Sequence, residues 1–241
     1  MDKRILIVVS YYNSRPKLFL DNLIFELKKF NTDLALVIND DKILKVTTEN
    51  NSNFFTVNRP NVGMNIGAWN ECYQLYSNYD YYLFLQDECL ILNNDFLEKY
   101  ISELSKPNIG MTGESINLIW NRPWSVMQRS KLNYNIYIEA EKLNISRVNY
   151  YLSFLKKWNI KPGENAGHLR ALIWGFNSQC LKKINEFPIG KNKDQCIAAE
   201  IAVSKKVQQY GFEISQIDSK PFKYISHNEW RLNGASKNNI M

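Results

Sequence analysis

The chain has 241 residues, 45% of them hydrophobic and 22% charged, with 30 basic against 24 acidic side chains. Such a length and composition fit one α/β domain with a sizeable core and exclude a chain too polar to fold. The surplus of positive charge forms no Lys/Arg block, which argues against a nucleic-acid binder and for an anionic, phosphorylated ligand.

Residues 5–9 are a β-branched apolar run and read as a strand, followed by a turn at 10–14. Ser14 is placed to cap a helix with Pro16 in its first turn, and Leu20, Leu23, Ile24 and Leu27 repeat at helical spacing. Residues 34–38 and 54–57 are two more short apolar strands, the first ending on Asn39, Asp40 and Asp41. A loop at 58–67 then leads into a helix at 67–77. The run Tyr-Tyr-Leu-Phe-Leu-Gln-Asp-Glu at 81–88 is a buried strand that stops on two acids. This order of strands and helices predicts a mostly parallel sheet flanked by helices.

A helix at 94–105 and a strand and turn at 108–113 follow. Residues 115–145 carry no clear period and read as an irregular insertion on the acceptor side. Ser146 is a candidate cap for a helix over 146–158, residues 163–167 are a loop, and 170–176 re-enter the core as a strand. A helix over 194–210 ends at Gly211, and late strands are expected at 212–217 and 222–225. The polar tail 232–241 is set apart from a single domain over 1–231, divided into halves at 113/114.

Cys72, Cys89, Cys180 and Cys196 form no CxxC pair, so no zinc knuckle or redox motif is present. They read as buried small apolar residues of a reducing compartment. No stretch approaches the roughly 20 apolar residues of a membrane span, and 5–9 is too short for a signal-peptide core. The expectation is a cytoplasmic protein, with peripheral contact at the inner face of a membrane left open.

In open α/β sheets the ligand crevice lies beyond the carboxyl ends of the strands. Asp87 and Glu88 stand there, as hard oxygen donors for a divalent cation against a diphosphate. His227, one of two histidines, follows the last strand as a third candidate ligand. Arg59 and the glycines Gly63 and Gly67 suit a phosphate-binding loop before a helix. Asp40, with Asn39 as deputy, suits a base N–H or a ribose hydroxyl. His168 and Arg170 are candidates for contact with a diphosphate or acceptor, and Trp120, Trp124 and Trp174 for stacking on a sugar ring. Glu200 falls within an apolar stripe of Cys196, Ile197, Val203 and Val207, where a merely solvated carboxylate is costly.

The motif order over residues 4–230 resembles the GT-A-fold glycosyltransferases, in particular the family 2-like bacterial enzymes. The matching stretches are Val-Ser-Tyr-Tyr-Asn at 9–13, Asn-Asp-Asp at 39–41, Asn-Val-Gly-Met-Asn-Ile-Gly at 61–67, Gln-Asp-Glu at 86–88, Ala-Glu at 199–200 and Ile-Ser-His-Asn-Glu-Trp at 225–230. The resemblance implies donor contacts from Ser10, Tyr12, Asn39, Asp40, Arg59, Asn61, Gly63, Asn65, Gln86 and Asp87. It implies a Mn²⁺ or Mg²⁺ site on Asp87, Glu88 and His227, and Glu200 as catalytic base. Gln86 departs from the family's Asp-x-Asp, and Ala199 from its Glu-Asp pair. The implied activity is inverting, metal-dependent transfer of a sugar from a nucleotide diphosphate donor to a saccharide or lipid-linked hydroxyl, in bacterial surface polysaccharide synthesis. The rival readings are a sugar-phosphate nucleotidyltransferase and a non-catalytic nucleotide- or glycan-binding protein.

Overall fold

The computed structural model describes residues 3–228. The tail 232–241 and Trp230 lie outside the described residues. The first half opens with β1 (Ile5–Tyr12), α1 (Leu18–Leu27), β2 (Asp33–Asp40), β3 (Thr47–Asn51), β4 (Phe54–Pro60) and α2 (Met64–Leu75). It continues through β5 (Tyr81–Gln86), β6 (Cys89–Ile91), α3 (Phe96–Leu104) and β7 (Ile109–Gly113). Then come α4 (Trp124–Arg129), β8 (Asn135–Ile138), β9 (Leu143–Ser146) and α5 (Arg147–Lys157). The chain finishes with β10 (Ile173–Asn177), α6 (Ser178–Ile184), α7 (Lys193–Gln209), β11 (Glu213–Gln216) and β12 (Ile225–His227).

Eight strands form one sheet in the order β11-β7-β10-β5-β1-β2-β4-β3. The inner run β5-β1-β2-β4 is parallel, while β10 is antiparallel to both its neighbours. The unbroken apolar run of β5 has a direct cause. Tyr82 and Phe84 face one core cluster and Leu83 and Leu85 the cluster on the other side of the sheet, all fully buried. A strand covered on both faces has no polar face to alternate with. Each such side chain contributes roughly 1.5–3 kcal/mol by leaving water.

The region without a clear period, 115–145, contains α4 and the β8–β9 hairpin. With α5 they build a third cluster, in which Trp120, Trp124, Met127, Tyr151 and Phe154 pack on Ala198, Ile201 and Ala202 of α7. The opposite flank of α7, through Ala199, Val203 and Val207, joins the sheet's core. Small residues let the helix approach both partners. The resulting wedge holds one end of α7 at the carboxyl edge of the sheet.

Several local expectations are corrected. Ser14 caps nothing, because the chain turns again and Lys17 takes the N-cap position of α1. Ser146 occupies the N-cap position of α5 without making a side-chain cap bond. β3 escapes notice because it is polar and fully exposed, an edge strand held by its hairpin with β4. Residues 222–224 form a turn, and the strand runs over β12. The four cysteines are free thiols.

Candidate active site

A cleft of about 200 Å³ opens where α7 meets the carboxyl ends of β4 and β5. Gly63, Met64, Asn65 and Ile66 wall one side, Gln86 and Ala171–Leu172 the floor, and Lys193, Cys196, Ile197 and Glu200 the other side. A larger groove of about 700 Å³ runs past Lys3, Arg4, Asp80 and Asn177 at the opposite edge of the sheet. Ligands of open α/β sheets sit beyond the carboxyl ends of the strands, so the smaller cleft is the candidate.

Glu200 reaches this cleft, three-quarters buried but still touching solvent. Its Oε2 accepts the Ala171 backbone N–H at 2.9 Å, and its Oε1 lies 3.1 Å from His168 Nε2. Both carboxylate oxygens are therefore fixed in direction by the fold. Its charge also acts on Arg170, whose guanidinium pKa is lowered by burial against a partial rise from Glu200. His168 was expected at a diphosphate or acceptor; it is buried, and it contacts the acid instead. The two lie thirty-two positions apart, so no local pattern in the sequence links them.

On the facing wall, Gly63 takes φ +78° at the N-cap of α2, and a Cβ there would meet Ile189 at 2.5 Å. Gly67 has the tighter constraint: a Cβ would lie 2.0 Å from the Val62 carbonyl oxygen. The Ser10 hydroxyl, fully buried, donates to Asn65 Oδ1 at 2.9 Å and so ties β1 to the first turn of α2. Ser10 thereby positions Asn65 at the cleft, while its own oxygen is enclosed.

The expected nucleotide corner divides into an outer and an inner part. Asn39 is buried, and its Oδ1 accepts from Arg59 Nη1 at 2.5 Å. Arg59 gives its other arm to the Val62 carbonyl at 2.9 Å, and burial lowers its pKa. Asn39 and Arg59, expected as ligand contacts, thus use the Asn39 amide oxygen and the two terminal guanidinium nitrogens to hold the loop before α2. Asp40 and Asp41 stay at the rim. The Lys42 backbone N–H and the Asn13 amide hold the Asp40 carboxyl below the usual range. Tyr12 and Asn61 both donate to Asp41.

The side chains expected to hold a cation have protein neighbours of their own. Gln86 replaces an acid with an amide, which donates to the Ala171 carbonyl at 2.6 Å and accepts from His227 Nε2 at 3.0 Å. Glu88 pairs with Arg15. Asp87 is buried beside Tyr11, raising the tyrosine's pKa behind the larger effect of desolvation. Among the described residues, no group of three His, Cys, Asp or Glu side chains converges to hold a metal ion. The sugar platforms are likewise absent from the cleft, because Trp120, Trp124 and Trp174 are all buried in the core clusters.

No protein-family model and no curated protein matches the chain. Solved structures do. The mannosyltransferase PcManGT from Pyrobaculum calidifontis, in complex with GDP-Man and Mn²⁺, aligns with TM-score 0.51 and 12% identity over 90% of this chain and 55% of that one. The catalytic domain of Drosophila β1,4-galactosyltransferase 7, in complex with xylobiose, aligns at 0.47 and 12% identity over 100% and 76% of the two chains. S. aureus TarS 1-349 aligns at 0.47 and 14% identity over 92% and 59%. The chain spans about half the length of the mannosyltransferase. Its fold is the GT-A type, a mostly parallel central sheet flanked by helices.

Among the described residues, no helix is long and apolar enough to cross a membrane.

Proposed function

We propose that this protein is a glycosyltransferase that moves a sugar from a nucleoside diphosphate donor to a hydroxyl of a saccharide or lipid-linked acceptor. The single observation that carries the reading is the Glu200 carboxylate, fixed at the cleft on the carboxyl edge of a GT-A sheet. Glu200 takes the proton of the acceptor hydroxyl, and that oxygen attacks the anomeric carbon as the bond to the diphosphate breaks. The electron pair of that bond leaves with the diphosphate. The family 2 resemblance favours inversion.

The donor half is 1–113 and the acceptor half 114–231. Asp40 at the rim reads the base or ribose, and Asn65 with the first turn of α2 faces the diphosphate. Lys193 on the opposite wall adds positive charge. Residues 115–164 hold eight Lys and Arg against three Glu, which suits an anionic, lipid-linked acceptor at the inner face of a bacterial membrane in surface polysaccharide synthesis.

The test is a panel of nucleotide sugars with and without Mn²⁺, read by thermal shift and by release of nucleoside diphosphate. One nucleotide sugar is expected to raise the melting temperature by mass action and to lose its sugar when an acceptor is added. The Mn²⁺ arm is included because GDP-Man and Mn²⁺ occur together in the mannosyltransferase structure. Stabilisation by a nucleoside triphosphate, with pyrophosphate released, would overturn the reading in favour of a nucleotidyltransferase. Binding without turnover would make the protein a nucleotide-sugar binder.

A further inference from the structure

The geometry points to His168 and Glu200 as one proton-sharing pair, in which the buried histidine acts through the carboxylate as a positioning and proton-holding residue. The inference deepens the glycosyltransferase reading and rests on it for its catalytic part. It begins with a count of hydrogens. His168 Nδ1 lies 2.9 Å from the Ala166 carbonyl, which only accepts, so Nδ1 carries a proton. Nε2 lies 3.1 Å from Glu200 Oε1. Two bare lone pairs do not sit at that distance in a buried site, so a second proton lies between them.

The surroundings decide which atom holds it. Glu200 Oε2 already accepts the Ala171 N–H, and Arg170 acts favourably on the carboxylate charge. Both stabilise the anion, so the resting pair is imidazolium and carboxylate. The Glu200 charge also acts on the Tyr151 hydroxyl of α5, which feels Arg147 at that helix's start and Asp194 in the first turn of α7 as well. Lys193 lies on the same wall of the cleft as Glu200, and the Trp120 ring meets His168 edge-on at 6.3 Å.

The emptied form is provided for as well. The Asn117 amide nitrogen lies 3.4 Å from Nε2 and is turned toward it by Arg170, which donates to Asn117 Oδ1 at 3.3 Å. Once Nε2 loses its proton, this amide has a lone pair to donate to. Glu200 Oε1 then faces a bare nitrogen and is the atom placed to take up a proton that the two can share. It takes the proton from the acceptor O–H, the new C–O bond forms at the anomeric carbon, and the bond to the diphosphate breaks. The proton ends shared between Oε1 and Nε2, and the pair is back in its resting state.

The chain has only two histidines, which makes the direct test practicable. Imidazole nitrogens are observed by ¹⁵N NMR at pH 7, and the His168 signals are assigned with a His227→Gln variant. Both His168 ring nitrogens are expected to be protonated in the wild type. Glu200→Gln should leave Nδ1 protonated and Nε2 bare, because the new amide donates to it. A bare Nε2 in the wild type would overturn the pair, whatever the activity. With turnover in hand, His168→Asn should lower kcat and leave KM for the donor nearly unchanged. A packing role would move the two together, which also overturns the proposal. Failure of the glycosyltransferase reading would show separately, as absence of turnover with the NMR pattern intact.

Discussion

Two places at the carboxyl edge of the sheet carry acids, the end of β5 and helix α7, and they differ in what the fold does with them. After β5, Asp87 and Glu88 stand where sequence order places a metal motif, yet the neighbouring polar atoms form a cross-brace. Gln86 ties His227 on β12 to Ala171 ahead of β10, and Glu88 is held by Arg15. On α7, by contrast, Glu200 looks like an error in an apolar stripe, and it is the acid that reaches the cleft with both oxygens oriented. Acidity at a strand end is cheap and often becomes structural, whereas a carboxylate wedged between two core clusters persists only when its surroundings satisfy it.

The contrast is broken most directly at Glu200. Glu200→Gln keeps the shape and the Ala171 contact but removes the base, so turnover should fall by roughly 10² or more with donor affinity nearly unchanged. Near-normal turnover in a folded variant would make Glu200 a structural residue like its counterparts after β5.

Next in size is the wall opposite. Gly67→Ala drives a Cβ to 2.0 Å from the Val62 carbonyl, a backbone clash that no rotamer relieves. A loss of roughly 3 kcal/mol or more is expected in urea unfolding, with nucleotide-sugar binding lost alongside. Unchanged stability would show that the loop before α2 yields, and that Arg59 and Asn39 do not fix it.

Glu114 sharpens the comparison through pH. Buried behind β7, it accepts from the Tyr100 hydroxyl and from the backbone N–H groups of Tyr224 and Ile225, anchoring the segment that carries His227. Burial outweighs those bonds and raises its pKa from 4.5 to about 7. Because the folded state holds the proton more tightly, its contribution is complete below the unfolded value and is lost as pH rises through 7. The shift corresponds to roughly 3 kcal/mol across that window. Urea unfolding at pH 5 and pH 8 should show the wild type losing more stability over this interval than Glu114→Gln. Equal losses would mean that the carboxyl is ionised throughout.

The smallest effect belongs to Glu88. Arg15 in the pair is nearly half exposed, so Glu88→Gln should change stability by under about 1 kcal/mol. Any Mn²⁺ response in nucleotide binding should survive the change. A response abolished by Glu88→Gln would restore Glu88 as a cation ligand and reverse the contrast.

The sequence determined the frame. Apolar runs at β1, β2 and β5, the helical period of α1, and the Asn and Gly loop before α2 are local patterns, and each reports burial or backbone freedom directly. It also singled out Glu200, because a charge in a buried stripe is anomalous whatever surrounds it. It points the three tryptophans at a sugar ring, whereas their large apolar area fills the cluster between the insertion and the sheet, or the sheet's own core. Tertiary structure alone decided the partners: His168 for Glu200, Arg59 for Asn39, Arg15 for Glu88 and His227 for Gln86. Side-chain pairing depends on distances across the sheet edge between residues 20 to 141 positions apart, and no period in the chain encodes them.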